Sequence, residues 1–208
     1  MVEKIAIGVL ISGRGSNLQA LLDAASAPSF PARVALVLSN KADAGGLAQA
    51  EKAGVETLVL DHRAFPDRTS FDAEMTRALE EKSVSLVCLA GFMRLLSEEF
   101  VTRWQGRLIN IHPSLLPLFK GLYPHRQALQ AGVKLHGCTV HFVTPEIDDG
   151  PIIAQAPVPV LEGDDEDSLA SRVLLEEHRL YPLAVRLIAE GRTRIEGRTV
   201  HIERSAAP

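Results

Sequence analysis

Asn110 and His112 occupy alternate positions just before Pro113, and their side chains are of types that stabilise a negative charge. In a strand, residues two apart point to the same side. The Asn110 amide and a protonated His112 could therefore both donate to a carbonyl oxygen that becomes negative during nucleophilic attack. Pro113 restricts His112 to extended backbone geometry, which helps to hold the imidazole in place. This pattern indicates an enzyme that transfers an acyl group.

A carboxylate must lie near His112 if its ring is to carry a charge. The pKa of a free imidazole is about 6.5, so an unpaired ring is largely neutral at physiological pH. Two candidates, Asp148 and Asp149, are adjacent in a loop where Gly150 allows an unusual backbone turn, and their positions do not choose between them. No serine or cysteine nucleophile stands beside a base here, which predicts direct transfer to an incoming amine.

A glycine-containing loop at 12–17, Ser-Gly-Arg-Gly-Ser-Asn, lies between the first predicted strand and the first predicted helix. Free N–H groups and the positive end of a helix dipole meet at such a point, which predicts an anion site, most naturally for a phosphate. Leu18 stands where a dinucleotide fingerprint needs a third glycine, and Asn40 offers no acid for a ribose, so NAD is disfavoured. Ser16 and Asn17 add donors suited to a phosphate monoester. The alternative is a tight turn in which one of them caps the helix.

The apolar segments alternate between strand and helix patterns along the chain. Strands are predicted at 5–11, 33–39, 55–60, 84–90, 107–112, 137–143 and 151–160. Helices are predicted at 17–27, 44–53, 67–82, 97–104, 126–131 and 167–190, the last with an irregularity at Pro182, and a hairpin at 194–201. This order predicts an α/β fold: a Rossmann-like, mostly parallel sheet with helices on both faces, extended by C-terminal strands and a long helix. We expect a single domain over 1–208, with a phosphate-binding half at 1–112 and a second half at 113–208.

Composition fits a soluble globular protein, with 46% hydrophobic and 23% charged residues among 208. The net charge of -4 gives no reason to expect nucleic acid or a membrane as a partner. The apolar segment 5–11 is too short to span a bilayer and runs into the glycine loop, so we expect no signal peptide and a cytoplasmic protein. Cys88 and Cys138 are expected to be free thiols, and no histidine or cysteine spacing suggests a metal.

Six segments together carry a more specific pattern. They are VLISGRGSNLQ at 9–19, LSNK at 38–41, LAGFMR at 89–94, INIHPSLLP at 109–117, HRQAL at 125–129 and HGCTVHFV at 136–143 followed by the Asp148 loop. On these segments, which span nearly the whole chain, the sequence resembles the phosphoribosylglycinamide formyltransferase family, folate-dependent enzymes of purine biosynthesis. The Asn-x-His-Pro-Ser-Leu-Leu-Pro stretch is shared by several formyl-folate enzymes. The loop at 12–17 is the segment that points to glycinamide ribonucleotide, the substrate of this family.

The resemblance implies roles for individual residues. It implies Asn110, His112 and Asp148 as the catalytic trio, which selects Asp148 over Asp149. It implies substrate contacts from Gly15, Ser16, Asn17 and Glu177. It also implies folate contacts from Arg68, Met93, Arg94, Leu95, Leu96 and Asn110, with Arg68 reaching the glutamate tail. The second half would then contain the folate loop.

The resemblance also implies the reaction. The amine of glycinamide ribonucleotide would attack the formyl carbon of 10-formyltetrahydrofolate, a cosubstrate that is not permanently bound, without a metal. The protein would act on these small molecules as a monomer or homodimer in the cytoplasm. The chain departs from the family pattern at Tyr123, where a second histidine is common, at Pro145, which is usually acidic, and at Leu174, which is polar in some members.

Three other functions would share part of this pattern. Methionyl-tRNA formyltransferase shares the chemistry but is expected to need a further, basic domain for tRNA. A 10-formyltetrahydrofolate hydrolase would pass the formyl group to water, but it is expected to carry a regulatory domain before the first strand, which here starts at Ile5. A Rossmann-type module that only binds a phosphorylated ligand would need the glycine loop without the trio.

Overall fold

The structure is a computed structural model that describes residues 4–203, and the chain separates into two compact units, one ending at Ile109 and the next beginning at Asn110. The first unit contains β1 Ile5–Ile11, α1 Ser16–Ser26, β2 Ala32–Ser39, α2 Gly45–Lys52, β3 Thr57–Val59, a 3₁₀ turn at His62–Ala64, α3 Arg68–Glu81, β4 Leu86–Leu89 and α4 Glu98–Arg103. Strand β5, Leu108–His112, begins in this unit and ends in the second.

The strands of the first unit are ordered β3-β2-β1-β4 and all of their pairings are parallel. All residues of β1 except Ile5 are buried, as expected for a continuous apolar strand covered on both faces. Helix α1 buries Leu18, Leu21 and Leu22, whose spacing places them on one helix face. This parallel arrangement brings the loops that follow the strands to one edge of the sheet, where open α/β folds bind their ligands.

The second unit contains the end of β5, then α5 Pro124–Ala131, β6 Leu135–Phe142, β7 Ile152–Pro159, α6 Glu166–Ala189, β8 Thr193–Glu196 and β9 Thr199–Ile202. Its strand order is β5-β6-β7-β9-β8. Strands β6 and β7 are antiparallel, with a register shift between Val140 and His141. Strands β8 and β9 form an antiparallel hairpin, and β9 joins β7 through a parallel pairing of Ile152 with Thr199.

The predicted α/β class is confirmed, including the mostly parallel strands, the C-terminal strands and the long helix. Boundaries differ by at most two residues at either end of an element. Helix α5, for example, begins at Pro124 because proline is well suited to the first turn of a helix. The 3₁₀ turn at His62–Ala64, which the side chain of Asp61 caps, is not among the predicted elements. Helix α6 continues through Pro182. The single domain with halves meeting at 112/113 stays a prediction.

No helix within residues 4–203 combines the length and the apolar character needed to cross a membrane.

Candidate active site

The imidazole of His112 lies between two oxygen acceptors at the end of β5. Its Nδ1 atom is 3.3 Å from Oδ2 of Asp148, and its Nε2 atom is 3.0 Å from the backbone carbonyl oxygen of Phe119. The side chains of His112 and Asp148 are only 7% and 12% exposed, so water screens this contact poorly. A carboxylate and a carbonyl only accept hydrogen bonds, so a doubly protonated ring satisfies both neighbours whereas a neutral ring satisfies one.

A second buried imidazole, His141 on β6, connects Asn110 to Asp148. Its Nδ1 atom lies 2.9 Å from the carbonyl oxygen of Phe142, to which it donates, and its Nε2 atom lies 3.3 Å from Nδ2 of Asn110. The same Nε2 atom is 3.7 Å from Oδ1 of Asp148. Burial lowers the pKa of His141, and the contacts with Phe142 and Asp148 oppose that shift. The neutral ring carries its proton on Nδ1, so Nε2 accepts from Asn110 and orients the amide.

Sequence reasoning missed His141, because β6 could have turned either face toward the site. The register shift between Val140 and His141 is the reason that simple alternation does not settle its direction. The available signal was its position one residue before the end of a buried strand, close to the acidic loop.

Backbone geometry fixes the carboxylate of Asp148. Asp148 has a left-handed backbone with φ of 49°, and its Oδ2 atom accepts a hydrogen bond from the N–H of Gly121 at 2.9 Å. Two residues later, a side chain at Gly150 would overlap the carbonyl oxygen of Phe142, so only glycine lets the loop pass so close to β6. The loop therefore holds Asp148 against His112 rather than letting it reach solvent.

The neighbouring carboxylate of Asp149 makes different contacts. It forms ion pairs with Lys120 and, at 2.6 Å, with Arg198. Hydrogen bonds from Arg198 and Lys120 hold the pKa of Asp149 well below its ordinary range. Of the two adjacent acids, Asp148 thus faces the imidazoles and Asp149 faces cations.

In the first unit, the glycine loop ends at the start of α1. Gly15 is the residue before the helix, with φ of 79°, and a side chain there would meet Cα of Gly46 at 2.5 Å. Ser16 and Asn17 form the first turn of the helix and are partly exposed. The capping position is occupied by Gly15, which has no side chain, and the first turn of α1 has no acidic residue. Ser16 and Asn17 lie inside the helix rather than at its capping position, and the positive end of the helix suits an anion.

Ser12 ties the glycine loop to the segment after β4. Its hydroxyl donates to Oδ1 of Asn40 at 2.6 Å and accepts from the N–H of Met93 at 2.8 Å. Asn40 stands where a dinucleotide-binding fold would have an acidic residue, and here it is a buried hydrogen-bond partner of Ser12. The contact places the predicted folate segment at the same sheet edge as the predicted phosphate loop.

Two of the predicted folate contacts, Arg68 and Arg94, line a cavity of about 200 Å³ in the first unit. Arg68, the first residue of α3, and Arg94 both line it, together with His62, Phe65, Asp67 and Phe71. Met93 and Leu95 are 72% and 60% exposed, and Leu96 is partly exposed. Two cationic side chains beside exposed apolar ones suit a ligand with an aromatic body and an anionic tail.

Glu177 is buried on α6. Burial is the main reason that the pKa of Cys138 is raised to about 12, and the charge of Glu177 raises it further. Tyr123 precedes α5 with φ of 58°, and its ring is covered by the guanidinium of Arg126 at 5.0 Å. Pro145 is exposed and Leu174 is partly exposed.

Within residues 4–203, no three histidine, cysteine, aspartate or glutamate side chains are grouped so as to hold a metal ion.

Residues 4–185 match the formyl transferase family, and the chain belongs to that family. Phosphoribosylglycinamide formyltransferase of Escherichia coli K12 is 48% identical over 202 residues, which cover 97% of this chain and 95% of that protein. The trifunctional purine biosynthetic protein adenosine-3 of Bos taurus is 51% identical over 193 residues, or 93% of this chain. The chain spans only 19% of the length of that trifunctional relative.

Solved structures agree with this assignment. Glycinamide ribonucleotide transformylase 1 from Symbiobacterium toebii is 57% identical with a TM-score of 0.94, covering 96% of this chain and 94% of that one. A formyltetrahydrofolate deformylase from Burkholderia mallei is 28% identical with a TM-score of 0.88, covering 98% of this chain and 71% of that one. The same fold therefore occurs in an enzyme named for transfer to a ribonucleotide and in one named for removal of the formyl group.

Proposed function

We propose that this chain transfers the formyl group of 10-formyltetrahydrofolate to the amine of glycinamide ribonucleotide, a step of purine biosynthesis. The observation that carries the proposal is the cluster of Asn110, His112 and Asp148, joined through His141, in a member of the formyl transferase family. The cluster offers amide and imidazole donors backed by a buried carboxylate, as stabilisation of an oxyanion requires.

The reaction begins when the neutral amine attacks the formyl carbon and the formyl C=O electrons move to oxygen. Asn110 donates its Nδ2–H and His112 its Nε2–H to that oxyanion. In the structure this Nε2 atom faces the carbonyl oxygen of Phe119, so in the reaction the formyl oxygen replaces Phe119 as the acceptor. Asp148 holds the opposite side of the ring through Nδ1 and stabilises its positive charge.

Collapse of the tetrahedral intermediate breaks the bond between the formyl carbon and N10 of the folate. The attacking nitrogen loses one proton and N10 gains one, and the Asp148 and His112 pair helps to move it, through water where direct contact is lacking. The products are tetrahydrofolate and the formylated ribonucleotide. Fixing both reactants contributes part of the acceleration and the oxyanion donors contribute much of the rest.

The remaining roles are part of the same proposal. Gly15, Ser16 and Asn17 bind the substrate phosphate, supported by the start of α1, where Gly15 at the capping position has no side chain and no acidic residue follows in the first turn. Glu177 contacts the ribose. Folate lies along Met93, Arg94, Leu95 and Leu96, and Arg68 binds its glutamate tail, supported by the cavity that Arg68 and Arg94 line. The enzyme works in the cytoplasm as a monomer or homodimer, without a metal.

The test is to mix the protein with 10-formyltetrahydrofolate and follow tetrahydrofolate formation with and without glycinamide ribonucleotide. We expect turnover to depend strictly on the ribonucleotide. Complete lack of turnover with both reactants would favour a module that only binds a phosphorylated ligand.

A second candidate is hydrolysis of 10-formyltetrahydrofolate, which is favoured by the similarity to the Burkholderia mallei deformylase. Water would then replace the amine as nucleophile at the same oxyanion site. Equal rates with and without the ribonucleotide would select this alternative.

A further inference from the structure

Lys120, Asp149 and Arg198 form an ion-pair cluster, called here the Asp149 cluster. One oxygen of Asp149 pairs with Nζ of Lys120. The other pairs with Nη1 of Arg198 at 2.6 Å, and Nη2 of Arg198 donates to the backbone oxygen of Asp149 at 3.0 Å. The cluster therefore joins three segments of the second unit: the loop after β5, the loop between β6 and β7, and the turn of the β8–β9 hairpin.

The residues next to this cluster along the chain make the backbone contacts of the catalytic centre. Lys120 lies between Phe119, whose carbonyl accepts from His112, and Gly121, whose N–H donates to Asp148. Asp149 directly follows Asp148. A displacement of either charged partner thus moves the backbone that places the His112 and Asp148 pair.

The charge of Lys120 also reaches the centre. Burial is the main cause of the lowered pKa of His141, and Lys120 is among the charges that lower it further. Without the charge of Asp149, the unpaired cation of Lys120 would attract another carboxylate close by. Asp148, which directly precedes Asp149 in the chain, is such a carboxylate. Asp148 is held in a left-handed backbone conformation that depends on its surroundings.

We propose that the Asp149 cluster is a positioning device for the formyl-transfer site: Asp149 neutralises Lys120 and Arg198 and so leaves Asp148 to pair with His112. This inference rests on the proposed function. Ion pairs that solvent reaches add little to stability, and both cations of the cluster are accessible, with Arg198 73% and Lys120 34% exposed. The effect of the cluster is therefore on the geometry of the site rather than on the stability of the fold.

The decisive variant is Asp149→Asn, which keeps the size of the side chain but leaves two cations unpaired. We expect kcat for formyl transfer to fall about tenfold, because a small displacement of His112 and Asp148 misplaces the reacting groups. KM for glycinamide ribonucleotide and the thermal midpoint should stay nearly unchanged. Adding Lys120→Met to Asp149→Asn should recover part of kcat, since the cation that competes for Asp148 is then gone.

The matched control is Arg194→Gln on the same hairpin. Arg194 pairs with Glu196 at 3.0 Å, and neither residue contacts the site, so kcat should stay at the wild-type value. Arg198→Gln removes one of the two pairs of Asp149 and should give a smaller loss of kcat than Asp149→Asn. It also keeps the proposal testable should Asp149→Asn fail to fold.

Amide hydrogen exchange supplies a readout that does not need activity. Segments 119–122 and 148–150 should exchange faster in Asp149→Asn than in the wild type, and at the wild-type rate in Arg194→Gln. A wild-type protein without formyl transfer would refute the proposed function, and exchange alone would then decide on the cluster. Unchanged kcat in an active Asp149→Asn, unchanged exchange in these segments, or a double variant no better than Asp149→Asn would each overturn the inference.

Discussion

At the scale of single residues, the site depends on what each ring nitrogen and each carboxylate oxygen faces. His112 has acceptors on both sides, whereas His141 has a carbonyl on one side and the donor amide of Asn110 on the other. Two chemically identical side chains therefore suit different protonation states. In the proposed reaction, His112 donates to the oxyanion, and His141 orients the Asn110 amide that also donates to it.

The two central residues give the first prediction. His112→Ala and Asp148→Asn should each lower kcat for formyl transfer by about a hundredfold or more, because each removes or uncouples a donor to the oxyanion. Circular dichroism should show that both variants fold. His201→Gln, an exposed change on β9, is the control and should keep the wild-type rate. A near-normal rate in either site variant would remove the role assigned to that residue.

The second prediction concerns His141. His141→Ala should lower kcat roughly tenfold with little change in KM, because Asn110 loses the acceptor that orients its amide and misplaced donors stabilise the oxyanion less well. His141→Gln can still offer an acceptor and should recover part of the loss. Steady-state kinetics of the two variants test this, and equal rates for both would show that orientation of Asn110 is not the role of His141.

At the scale of elements, short loops after strands set the positions of the proposed ligand contacts. The glycine loop turns into α1 through a left-handed residue, and Ser12 connects this loop to the segment after β4. These contacts are made by backbone atoms or by small side chains, so they depend on the close approach of α1 and α2 at Gly15 and Gly46. A change that alters the approach should affect binding of the phosphate before it affects chemistry.

The third prediction concerns Gly15→Ala, which tests whether the approach of α1 and α2 controls phosphate binding. The new Cβ both strains the left-handed backbone and overlaps Gly46, so the variant should lose about 1–3 kcal/mol of stability and raise KM for glycinamide ribonucleotide. Gly163→Ala is the matched control, since Gly163 also has a left-handed backbone, with φ of 83°, but a side chain there meets nothing within 4 Å. Kinetics and urea unfolding should show a stability loss in both variants and a KM change only in Gly15→Ala; an unchanged KM there would argue against the phosphate site.

At the scale of the whole molecule, buried neutral histidines set the response to acid. Burial lowers the pKa of His136 to about 4, and His125 and His141 are also lowered, mainly by burial. Well above pH 6.5 these residues are neutral in both the folded and the unfolded chain. As the pH falls toward 4, the unfolded chain binds protons that the folded chain does not, so stability is lost over that window.

The fourth prediction follows from this linkage. The free energy of unfolding should fall by about 2 kcal/mol between pH 7 and pH 5 through His136 alone, and His136→Gln should show a smaller fall. The carboxylates of Asp149 and Asp164 do not interfere, because their ordinary pKa of 3.8 already lies below this window and their partners lower it further in the folded chain. Urea unfolding at the two pH values is the measurement. Identical pH dependence in the wild type and the variant would contradict the prediction.

The sequence alone determined the order of strands and helices and the parallel sheet, because apolar periodicity and glycine positions are local signals. It also predicted that Asn110 and His112 lie together, since residues two apart in a strand share a side. Their chemistry follows from residue type, and so does the anion-binding character of the loop at 12–17.

Tertiary structure decided which groups complete that chemistry. The residues alone left Asp148 and Asp149 equivalent, and only the path of the loop, with its left-handed Asp148 and its contact with Gly121, separates them. His141 enters through a register shift that strand alternation does not reveal. The Asp149 cluster joins residues 49 positions apart along the chain. Contacts of this kind depend on how loops distant in sequence pack together, and no local pattern in the amino-acid sequence encodes that packing.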